Sequence, residues 1–220
     1  MENLGKRLHV NFLGYAHWFM SIRIYQMKDH SIPVDRAIYA TYIVAKYLDT
    51  ATFKTSTKFY NTNLPSDMIF TKADTSTRDE QVEKLTRELN IHYIDCIGSL
   101  IYLLSTRVDL SFVVYKLEKF SSNPGKVNFE GMVNLLRYIR DNKTLDLKYY
   151  FYMKYAPFSD LLRQAIINTE NKLMAFSDYS WQDFPENGRS TGAYIIFYQG
   201  GTIEHGTHVP RPVSQSSSES

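Results

Sequence analysis

The apolar residues change their period part-way along the chain, and that change limits what the chain can fold into. Between about residues 34 and 140 they recur every three to four positions; from residue 145 onward they recur every second position. A helix presents one face at the first spacing and a strand at the second, so neither an all-helical bundle nor an all-β sandwich fits. The expected class is α+β, with helices in the middle and strands towards the end, and the natural cut falls near 142–170.

The elements follow from local signals. Leu13–Tyr25 ends in alternating Ile22 and Ile24 and reads as a strand or hairpin arm. His30-Ser31 with Pro33 is expected to open a helix whose face is Ile38, Tyr42, Ala45 and Leu48. Residues 50–78, rich in Thr, Ser and Asn, read as a long loop. A charged helix is expected over 79–89. A second helix follows over 91–105, with Ile94, Ile97, Ile101 and Leu104 at helical spacing; apolar nearly all round, it is expected to be buried. Asp109 reads as the cap of a third helix carrying Phe112, Val113, Lys116, Leu117 and Phe120, stopped by Asn123-Pro124-Gly125. A fourth spans 127–140, with Phe129, Met132, Val133, Leu136 and Ile139 inward. Strands are expected at 145–151, Leu173–Asp178, Thr191–Tyr198 and Thr202–His205.

Composition excludes several classes. Apolar types make up 44% and charged types 22%, enough for a packed core and too little charge for wholesale disorder. One cysteine, Cys96, leaves no internal disulfide and suits a reducing compartment. No apolar run is long enough to cross a bilayer, and the first residues lack a signal-peptide core, so an intracellular chain with no membrane partner is expected, in cytoplasm or nucleus. Charge alternates in blocks of +4, −3, +4 and −3 over residues 1–60, 61–105, 106–154 and 155–220. Such blocks could set a basic surface beside an acidic site, but differences this small decide nothing alone.

Three blocks of residues then converge. The first is Leu13-Gly14, Trp18-Phe19-Met20-Ser21-Ile22 and Ile24. The second is Ile97-Gly98-Ser99-Leu100, Tyr102-Leu103, Thr106-Arg107-Val108-Asp109, then Phe120, Asn123-Pro124 and Leu136-Arg137-Tyr138-Ile139. The third is Ser177-Asp178-Tyr179-Ser180-Trp181, Arg189-Ser190-Thr191-Gly192-Ala193-Tyr194, Gly200-Gly201 and Ser216-Ser217-Ser218-Glu219. In this order they resemble the copia-type retrotransposon Pol polyprotein in its reverse transcriptase–RNase H part: LG…WFLG-I-x-I, then IGSL-x-YL…TRPD…NP…LRYL, then SDADW…RSTSGY…GG…SS-x-EAEY. Ser180 and Val108 depart from the family's Asp and Pro.

The resemblance implies the end of a reverse transcriptase palm over 1–33 and a helical thumb and connection over 34–142. A variable linker with a strand follows over 143–170, then a truncated RNase H-like sheet over 171–220. It implies a Mg²⁺ pair held by carboxylates, the first at Asp178 on the end of a strand and the second at Glu219 on a helix. The family's later carboxylates fall beyond Glu219, so tight Mg²⁺ binding is not expected. The polymerase's paired Asp is absent too: the sequence holds no Asp-Asp dipeptide. What remains implied is grip on an RNA–DNA hybrid or primer–template through Arg107, Lys116, Lys119, Lys126, Arg137, Arg140 and Lys143. Arg107 and Asp109 could instead pair structurally.

The expectation is therefore a retrotransposon fragment, catalytically incomplete, with residual nucleic-acid binding. The alternatives are an RNase H-type ribonuclease completed by a partner chain, and a domesticated interaction module. Oligomeric state is left open. Other groupings are weaker: Glu204-His205-x-x-His208 reads as a polar turn before a metal site, Cys96 as a core residue, Trp18 and Trp181 as packing residues.

Overall fold

The computed structural model describes residues 14–48, 72, 78–145, 147–150, 173–184, 189–198 and 201–208. A four-stranded antiparallel sheet, order β1-β2-β3-β4, comes from β1 (Trp18–Phe19), β2 (Ile22–Ile24), β3 (Ile32–Asp35) and β4 (Leu147–Tyr149). Phe19 pairs with Ile22, so Met20 and Ser21 form a two-residue turn, and both hold positive φ (47° and 64°). That is the primed turn whose twist suits a hairpin, made here without glycine.

Pro33 does not open the helix. It lies in β3, opposite Lys148. The Tyr25 N–H donates to the Pro33 carbonyl (2.9 Å) and the reciprocal bond is lacking, because proline has no N–H. Helix α1 (Ala37–Tyr47) starts after the strand, where Asp35 Oδ1 accepts the Ala37 N–H (2.8 Å). The same oxygen takes Arg23 Nε and Nη2 from β2 (3.0 and 2.8 Å), tying sheet to helix.

The helical layer continues with α2 (Arg78–Leu89), α3 (Tyr93–Leu103), a 3₁₀ turn (Val108–Leu110), α4 (Ser111–Glu118) and α5 (Lys126–Asp141). Helix α5 buries the face its sequence announces: Phe129, Met132, Val133, Leu136 and Ile139. Its start is fixed by Asn128, whose Oδ1 accepts the Gly125 N–H (2.7 Å). Helices α1 and α3 bury only part of the faces expected, Leu48 just past α1 and Ile97 among them. Helix α1 turns Ala40, Ile43, Val44 and Tyr47 inward and leaves Ile38, Tyr42 and Ala45 exposed, and α3 buries Tyr93, Cys96, Ile97, Leu100 and Leu103 but exposes Ile94, Ile101 and Tyr102. Both are apolar on two sides, so periodicity alone could not choose the inner one. The core closes around Tyr93, whose ring meets Phe129 edge-on (5.1 Å) and whose hydroxyl donates to the Leu117 carbonyl (2.9 Å).

A separate antiparallel sheet holds β5 (Leu173–Phe184), β6 (Arg189–Tyr198) and β7 (Gly201–His208) in that order. All three run longer than their apolar alternation indicated. Strand β4 belongs to the first sheet, so residues 147–149 close the N-terminal unit rather than link two units. Tyr149 also reaches the second sheet, donating to the Thr202 carbonyl (2.9 Å). Gly201 lies flat under its ring, where any Cβ would collide. The expected loop at 50–78 lies outside the described residues, apart from Lys72 and the start of α2 at Arg78, and of the linker expected at 143–170 the part beyond residue 150 does too. No helix among the described residues is long and apolar enough to cross a membrane.

Candidate nucleic-acid interface

Of the seven cations expected to meet phosphate, Arg107 is turned inward. Its side chain is 3% exposed; Nε and Nη2 donate to Asp109 Oδ1 and Oδ2 (2.8 and 2.7 Å), and Nη1 donates to the Asn142 carbonyl (2.9 Å). A guanidinium held this way cannot reach a phosphate, so Arg107 leaves the contacting set. Asp109 does not cap α4, whose N-cap is Leu110 with no side-chain bond. It instead accepts the Tyr138 hydroxyl at Oδ2 (2.9 Å). Residues of the second motif block, some thirty positions apart, thus form one internal network joining the 3₁₀ turn to the end of α5.

The others stay at the surface. On α5, Lys126, Arg137 and Arg140 fall within about 60° of arc at 100° per residue, over about 21 Å of axis. Glu130 and Asp141 lie about 20° and 40° beyond its edge. Lys126 lies 3.8 Å from Glu130, and Arg140 Nε donates to Asp141 (2.7 Å), while Arg137 Nη1 donates to Asn134 (3.2 Å). Lys143 is exposed just beyond the helix. On α4, Lys116 Nζ sits over the Phe112 ring (4.9 Å) and Lys119 Nζ over Tyr115 (4.4 Å), each cation one turn along from its ring. The track is cationic yet diluted by acids, which suits contact with a few phosphates rather than a long footprint.

Asp178 lies midway along β5 rather than at a strand end. It is exposed, and its Oδ1 accepts the N–H of Tyr179 (2.9 Å). Glu219 lies outside the described residues. Asp178 lines a cleft of about 270 Å³ between the second sheet and the start of α4, together with Asp109, Ser111, Phe112, Phe176 and His205. Asp109, the other carboxylate there, already has both oxygens on Arg107. Among the described residues no three His, Cys, Asp or Glu side chains are grouped so that they could hold a metal ion. These residues do not fit a two-metal centre, and no chemical step runs through Mg²⁺ here.

The sequence reading missed the groups that shape this cleft. His205 Nε2 faces the Leu104 carbonyl (3.1 Å), so that nitrogen carries the proton. Nδ1 then accepts from the Ser111 hydroxyl (3.0 Å). One imidazole therefore pins the second sheet to the helical layer. Glu204 and His205 point to opposite faces of β7, Glu204 meeting the Tyr194 hydroxyl (3.4 Å), so they form neither a polar turn nor a shared ligand set. Arg36 was missed too. It is buried, its ring-stacked guanidinium lies 4.0 Å from the Tyr102 centroid, and it donates to the carbonyls of Tyr102 and Met20. Burial lowers its pKa from the usual arginine value. Trp18 is 51% exposed and is not the packing residue expected; the side chain of Trp181 lies outside what is described.

Among known proteins the chain is similar to a protein described as a retrovirus-related Pol polyprotein from transposon TNT 1-94 of Nicotiana tabacum. The two are 24% identical over 139 residues, 63% of this chain. The chain spans 9% of that polyprotein's length. No family model matches the chain, and no solved structure matches it.

Proposed function

We propose that this chain is a segment from the reverse transcriptase–RNase H part of a copia-type retrotransposon Pol polyprotein. Its role is to grip the backbone of an RNA–DNA hybrid or primer–template, with neither activity's metal centre of its own. Similarity to a retrotransposon Pol polyprotein over nearly two thirds of the chain supports the origin. The observation that carries the grip is α5: its inner face is locked in the core while Lys126 is exposed and the half-buried Arg137 and Arg140 follow it along one side. A rigid helix holds cations at fixed spacing, which backbone contact requires.

The reading is tested by hybrid binding measured across salt, with a cleavage assay alongside. Weak binding that falls as salt rises, with no cleavage when Mg²⁺ is added, is the expected result. Binding indifferent to salt would contradict it. Mg²⁺-dependent hybrid cleavage abolished by Asp178→Ala would replace it with an RNase H-type nuclease completed by a partner chain.

A further inference from the structure

The cleft beside α4 carries more than backbone grip needs. Strand pairing sets one face of the second sheet: Phe176 lies opposite Ile195, which lies opposite His205, and Asp178 lies opposite Ala193. That face looks onto the start of α4, and the Ser111–His205–Leu104 bonds fix the spacing between the two. At the cleft two phenyl rings stay open to solvent, Phe112 at 45% and Phe176 at 40%. The Lys116 ammonium sits against the Phe112 ring, and the Asp178 carboxylate is exposed on the sheet side.

We propose that this cleft takes one unpaired nucleotide, with guanine as its preferred base. The proposal rests on the nucleic-acid reading above and adds what the site recognises. Exposed aromatic rings offer stacking surface to any base. An ionised carboxylate only accepts hydrogen bonds, so Asp178 favours a base edge with adjacent donors. Guanine presents N1–H and N2–H₂ side by side. Uracil flanks its one ring N–H with two carbonyl oxygens that a carboxylate repels. That edge is used up in a duplex, so the site selects unpaired bases. Lys116, one turn from Phe112, is placed for the nucleotide's phosphate.

The test uses the full chain and fluorescence anisotropy with three probes: a short oligouridylate, the same oligomer with one central guanosine, and an RNA–DNA hybrid. The guanosine oligomer is expected to bind about tenfold tighter than oligouridylate. Phe176→Ala is expected to remove about tenfold of that affinity, and Phe176→Tyr to restore it. Phe112→Ala, on the opposite wall, repeats the loss and separates a lost stacking surface from a disturbed sheet. Asp178→Asn is expected to erase the preference for guanosine while hybrid binding is unchanged. Equal affinity for the two oligomers would overturn the proposal. So would variants that leave oligomer binding intact while Lys126→Gln weakens the hybrid, an outcome that spares the backbone reading. No binding to any probe would overturn both.

Discussion

Asp109 compensates a guanidinium that water scarcely reaches, and its removal leaves that charge buried and unpaired. Truncating one partner of a buried pair costs about 3–5 kcal/mol. Asp109 is 33% exposed, so Asp109→Ala is expected at the lower end, about 3 kcal/mol, read as a lower urea midpoint with unchanged slope. A loss below half a kilocalorie would contradict the network described. Cys96 gives a second residue-scale outcome. Burial pushes its thiol far above the usual range, so little thiolate forms at neutral pH. Alkylation in the native state is expected to be slow and to accelerate through the unfolding transition; rapid native labelling would contradict its burial. The single cysteine was legible as a core residue from its apolar run. Arg107 was ambiguous because Arg-x-Asp serves surface and interior alike, and only the fold brings Asn142 and Tyr138 to it.

At the scale of elements, the β1–β2 hairpin holds two side-chain-bearing residues in left-handed conformation. Glycine takes that conformation without steric cost, and the resembling family has glycine at the position of Ser21. Ser21→Gly is expected to stabilise the hairpin by about 0.5–1 kcal/mol, seen as slower hydrogen exchange at the Ile24 amide, which bonds the His17 carbonyl. Faster exchange would contradict the turn. His205 offers an opposite case. His205→Ala removes two of the bonds that pin the second sheet, so limited proteolysis of β5–β7 is expected to quicken while the helical layer melts as before. Helix α5 was legible to its inner face because polar and apolar residues segregate cleanly. Helices α1 and α3 were not, since Ile38, Tyr42, Ile94 and Ile101 are as apolar as the residues that pack. Strand β3 was missed because Pro33 is a helix-start signal by local rules; its place in a sheet depends on β4, more than a hundred positions away.

For the molecule as a whole, polar links among the described residues join two sheets and a helical layer, and α5 carries the cations on which the proposed grip rests. The mixture of helices with antiparallel strands, and the order of helices before the second sheet, were readable from the change in apolar period. The pairing of β4 with β3 and the cleft beside α4 were not, because they join residues far apart in the sequence. The most direct test of the account is the salt dependence of hybrid binding, comparing the native chain with Lys126→Gln/Lys143→Gln. Each phosphate contact contributes about 0.9 to the slope of log affinity against log salt for a duplex. The double variant is expected to flatten that slope by about 2 and weaken binding at low salt without changing the unfolding midpoint. An identical slope in both proteins would contradict the claim that this chain grips the nucleic-acid backbone through its helical layer.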